Sequence, residues 1–108
     1  MDSAGKGGFV SAVNAVAGVV VVAAEAERRI SLKSVVISTS AAATVWIEDE
    51  HRNIVFPKGY YPANGGIVIT NLCRGRFKAL VGDGLKVWSS GSDVLSCVIE
   101  AYNDTSIN

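Results

Sequence analysis

Glutamine is absent from the 108 residues, histidine and methionine occur once each, proline and cysteine twice, and leucine only five times. Each scarcity removes a class of function. A single histidine, His51, cannot supply the several imidazole and carboxylate ligands that converge in a barrel metal centre. Without a GxSxG elbow it gives no support to a serine hydrolase either. Cys73 and Cys97 are too few for a disulfide framework and too distant for a zinc knuckle, and Cys97 in VLSCVIE reads as a small buried hydrophobe of a protein made in a reducing compartment. Ten Lys and Arg balance ten Asp and Glu, so no electrostatic reason exists to expect nucleic acid as a partner. The apolar segment 15–24 is about half the roughly 20 residues that a membrane span needs. It lies in FVSAVNAVAGVVVVAAEAE, which has some signal-peptide character, but Ser11 and Asn14 interrupt the run and Asp2 stands in its lead. Neither an anchor nor secretion is expected.

What is present is strand composition. Sixteen Val, eight Ile and four Thr make 28 β-branched residues, and 11 Gly, 11 Ser and six Asn punctuate them at short intervals. The length fits one domain, and the hydrophobic fraction of 49% is enough for a core. Strand after turn follows from Phe9 onward: VVVV (19–22), RISLKSVVISTS, ATVWIED, IVF, the Ile67 to Thr70 segment, RFKALV, LKVWSS and VLSCVIEAY. Pro57, Lys58 and Gly59 are expected to break the ladder, YYPANGG to form a loop and GDG (82–84) a tight turn. No helix-period segment is long. The pattern predicts an all-β fold, a two-sheet antiparallel sandwich of about eight strands with jelly-roll topology, over residues 17–108. Residues 1–16, opening with MDSAGKGG, are expected to be a flexible arm that orders on a neighbour.

Few residues carry chemistry. GKGG (5–8) lacks the spacing and the strand and helix of a phosphate loop. Glu48, Asp49 and Glu50 are spaced poorly for calcium and lie beside Arg52, so a solvated turn that includes His51 is expected, with no metal and no cofactor. Asn103-Asp104-Thr105 is a glycosylation sequon by pattern alone. The informative residues are aromatic. Trp46 alternates with Val45 and Ile47, and Trp88 with Leu85 and Val87, so both indoles fall on the strand face opposite the core. Either the two strands are neighbours whose rings pair under a loop, or the rings form a partner surface with Tyr60 and Tyr61. Sugar stacking would use the same residues.

RISLKSVVISTSAAATVWIED, followed by YYPANGGIVITN, LKVWSS and DVLSCVIEAY, resembles small jelly-roll or β-sandwich virion proteins of tailed bacteriophages, the capsid decoration or cement type. The charged EDEHR turn and the VVVV segment depart from that pattern. The resemblance implies a non-enzymatic protein of the virion, synthesised in the host cytoplasm and located on the capsid surface. Its expected partners are the major capsid protein and further copies of itself, as trimer or dimer. The expected interface residues are Phe9 and Val10 of the arm with Trp46, Tyr60, Tyr61 and Trp88. The alternative is a tail- or fibre-associated module that recognises host-surface glycan.

Overall fold

The computed structural model describes residues 5–91 and 94–105. Eight strands run in chain order: β1 (Gly5–Asn14), β2 (Val19–Val22), β3 (Arg28–Thr39), β4 (Ala43–Glu48), β5 (Ile54–Tyr61), β6 (Gly66–Ile69), β7 (Leu85–Ser89) and β8 (Val94–Thr105). They form two four-stranded antiparallel sheets, in the order β1-β8-β3-β6 and β2-β7-β4-β5. The pairs β1:β8, β2:β7, β3:β6 and β4:β5 are those of one long hairpin folded on itself. The pairs β3:β8 and β4:β7 roll that hairpin into a sandwich, the strand order of a jelly roll.

Period-two alternation builds the core. On β3 the residues Val35 and Ile37 are buried while Val36 between them faces outward, and β8 repeats this with Cys97 and Ile99 around Val98. The opposite sheet contributes Val45 and Ile47 of β4 with Leu85 and Val87 of β7. The inner faces of the two sheets pack into one cluster.

Three sequence expectations change. The segment expected to be an arm is β1, paired with β8 from Gly5↔Tyr102 to Asn14↔Val94; residues 1–4 lie outside the described residues. Gly8 explains how it fits: a Cβ there would collide with the carbonyl oxygen of Val21, so glycine lets an edge strand of one sheet cross against an edge strand of the other. Conversely, RFKALV is not a strand and makes only the isolated bridge Ser31↔Lys78. Pro57 does not end β5 either, because β5 is an edge strand and the pairing register shifts between Val45 and Ile47, opposite this point. The segment 15–24 holds a turn and β2, and no helix among the described residues is long and apolar enough to cross a membrane.

Candidate functional site

The outer face of the β1-β8-β3-β6 sheet carries a row of apolar side chains. Phe9 lies opposite Val98, Val98 opposite Val36, and Val36 opposite Val68, so each of the four strands contributes one residue. Phe9 is 70%, Val68 69% and Val98 46% exposed, and Val36 is half-buried between them. With strands about 4.8 Å apart, the row runs roughly 14 Å across the sheet. Small polar residues flank it. Ser38, Ser96 and Gly66 lie on one side, while Ser34, Glu100 and Gly7 lie on the other, with the Ser34 hydroxyl donating to Glu100 at 3.1 Å. An apolar stripe with a polar rim is the form of a protein-docking surface.

Of the residues expected at an interface, Phe9 belongs to this stripe. Val10 does not: it sits in the inward row Val10–Cys97–Ile37–Ile67 and packs against the core. Val36, Val68 and Val98 were missed. Alternation places each opposite the core, but only the pairing register brings them together.

The tryptophans occupy the other outer face. Trp46 of β4 is directly opposite Trp88 of β7, and the rings lie 6.4 Å apart at 10°, so the pairing expected for neighbouring strands is present. Their cover comes from cations. Arg52 lies 4.1 Å from the centre of the Trp88 ring and Lys58 Nζ 4.5 Å from that of Trp46. Arg52 has φ 67°, which turns the hairpin back over the sheet, and its Nε pairs with the buried Glu48 carboxylate. The other Glu48 oxygen accepts from Trp46 Nε1 at 2.7 Å. Gly18, at φ 79°, leaves room for Trp88, whose ring is 2.6 Å from where a Cβ would lie. Tyr60 is exposed near this face, whereas Tyr61 is buried on the inner side of β5, and burial, followed by the nearby Cys97, pushes its hydroxyl pKa up.

The charged turn is less solvated than expected. Asp49 is fully buried, and its carboxylate accepts from His51 N at 2.9 Å, Asn53 N at 3.0 Å, Asn53 Nδ2 at 3.0 Å and Leu80 N at 3.2 Å. Burial opposes its ionisation, but the hydrogen bonds from Asn53, His51 and Leu80 outweigh it and hold the pKa below 3.8. Glu50 accepts from Gly84 N at 3.0 Å, and His51 Nδ1 meets Asp83 Oδ2 at 2.6 Å. Residues 49–51 therefore clamp the 80–84 loop to the β4–β5 turn. Asp49, His51 and Asp83 place one potential ligand atom each within 4.8 Å of one another. Backbone amides and the Asn53 side-chain amide occupy both Asp49 oxygens, and His51 Nδ1 is engaged with Asp83, so the group reads as a loop clasp. Cys73 is exposed and Cys97 is buried, with its thiol pushed up to about 12 by burial.

No protein-family model matches the chain, and no curated protein or solved structure is detectably similar to it. The geometry alone defines the class: a two-sheet antiparallel β-sandwich with an exposed apolar row on one sheet and a cation-capped tryptophan pair on the other.

Proposed function

We propose that the protein is a non-enzymatic virion component, a capsid decoration protein that lies on the outside of a lattice of major capsid protein and stabilises the shell. The observation that carries this reading is the stripe Phe9–Val98–Val36–Val68, a solvent-facing apolar row on a rigid sheet. The resemblance of the RISLKSVVISTS to DVLSCVIEAY segments to cement proteins supplies the partner. A chain with no net charge gains little long-range attraction to a shell, so attachment has to come from buried apolar area. A stable contact buries about 800 Å² per partner, more than one row offers, which favours a dimer or trimer that presents several stripes at once.

A glycan-binding module of a tail or fibre would stack sugars on Trp46 and Trp88. A cation already lies over each of those rings, which weighs against that use. The test is to sediment particles from the source lysate and to quantify this chain relative to the most abundant shell protein. A stoichiometry in simple ratio to the shell protein supports a decoration role. A few copies per particle would move the protein to the tail, and none would end the virion reading.

A further inference from the structure

The two sheets part at one side of the sandwich, where β5 is the edge of one and β6 the edge of the other. A cleft of about 430 Å³ opens there, within the roughly 300–1,000 Å³ of small-molecule sites. Its walls are Phe56, Tyr61, Ile67, Ile69, Leu72 and Phe77, with Phe56 and Phe77 meeting edge to face at 5.7 Å. Two polar features interrupt this apolar lining. Tyr61 is only 8% exposed, its hydroxyl makes no hydrogen bond with any described residue, and it lies 2.7 Å from where a Cβ of Gly59 would sit, on the cleft wall. That hydroxyl is accessible from the cleft and can donate to an acceptor placed there. Lys58 and Arg76 complete the lining, and among the described residues neither has a carboxylate partner.

The surrounding chain has one sign of charge. Although the molecule is neutral overall, residues 54–82 carry Lys58, Arg74, Arg76 and Lys78 and no carboxylate at all. Among the described residues only Arg74 of these is in an ion pair, with Asp104 at 3.5 Å. Lys58 leans over Trp46 on the outer face, which leaves Arg76, stacked 5.6 Å from the Phe77 ring, as the cation best placed at the mouth.

We infer that this cleft binds a small amphipathic carboxylate, with the apolar body between the sheets and the carboxylate shared by Arg76 and the Tyr61 hydroxyl. Apolar walls select the body, and the one-signed rim selects the head over a neutral or cationic equivalent. Tyr61 supplies a neutral donor, since burial keeps its proton in place. This site is separate from the docking stripe and its occupancy does not depend on a virion role.

The experiment is titration of the full chain with decanoate, followed by calorimetry and by backbone amide shifts. One saturable site is expected, with the largest shifts at Ile67, Ile69, Leu72 and Phe77. From hexanoate to decanoate the affinity should rise about fourfold per methylene, as the burial of each CH₂ implies. Arg76→Glu, on the surface, should weaken binding at least tenfold without moving the melting temperature, and Tyr61→Phe should weaken it by a smaller factor. Decanol should bind at least tenfold more weakly than decanoate. Absence of saturation, shifts confined to the Phe9–Val68 face, insensitivity to Arg76→Glu, or equal binding of decanol would each overturn the inference.

Discussion

Asp49 and His51 are adjacent in a turn that the sequence marks as solvated, yet their environments are opposite. Asp49 is enclosed by donors, and its folded-state pKa lies below 3.8, so it contributes stability that is present above that value and is lost as pH falls through the lowered one. Replacing it with alanine leaves the amides of His51, Asn53 and Leu80 without their acceptor, and a loss of about 2–4 kcal/mol in denaturant unfolding at neutral pH is expected. The variant should also lose the acid-side slope. His51 behaves in the reverse sense. The hydrogen bond that the imidazole donates to Asp83, and then the Asp83 charge, raise the imidazole pKa above 6.5, so this contribution is full below 6.5 and disappears as pH rises through the folded value. Because it is the only histidine, its proton NMR titration is unambiguous: a midpoint above 6.5 is expected, returning towards that value in Asp83→Asn. A midpoint at or below 6.5 in the parent protein would refute the clasp. The local bonds of Asp49 to His51 and Asn53 are those of an ordinary turn, whereas the clasp was not legible beforehand, since Leu80, Asp83 and Gly84 lie about thirty positions away in a loop with no periodic signal.

Among the elements, alternation made β3, β4, β7 and β8 readable, because each has one dry and one wet face. β1 was hidden by its glycines. GKGG has the composition of a loose lead, and the reason for Gly8 is the carbonyl of Val21, which belongs to a strand of the other sheet. RFKALV failed in the opposite direction: its apolar residues fill the open side of the sandwich without pairing as a strand. The difference between strand and arm is measurable through Cys97, which β1 covers at Val10. In the intact protein an aromatic disulfide reagent should label Cys73 and spare Cys97, which is buried and holds its proton up to about 12. Gly8→Val should unseat β1, cost about 1–3 kcal/mol and open Cys97 to labelling while the far-ultraviolet dichroism stays β-type. Continued protection of Cys97 in that variant would return β1 to the status of an arm.

At the scale of the whole molecule, the two outer faces are chemically unlike, and under the proposed function this difference selects the docking face. The tryptophan face is covered by ring pairing, two cations and the Glu48 carboxylate, with the buried Trp88 Nε1 left unpartnered among the described residues, so a partner would have to displace existing interactions to use it. On the opposite face the exposed row itself is three aliphatic side chains and one phenyl ring, flanked by serines and Glu100, and covering it releases water held against apolar surface. Phe9, Val36, Val68 and Val98 are scattered over ninety positions, and no reading of one strand at a time could have assembled them. Val68→Glu puts a charge in the row at a site that is 69% exposed, so fold stability should change by no more than about 0.5 kcal/mol. If the row is the centre of the shell contact, burying that carboxylate without a partner should weaken particle attachment by about 2 kcal/mol or more, roughly thirtyfold. Tyr60→Ser, on the tryptophan side, should leave attachment within a factor of two. Co-sedimentation of both variants with particles stripped of the native chain reads the contrast directly: if Tyr60→Ser detaches the protein and Val68→Glu does not, the docking face is the tryptophan sheet and the glycan reading gains what the decoration reading loses.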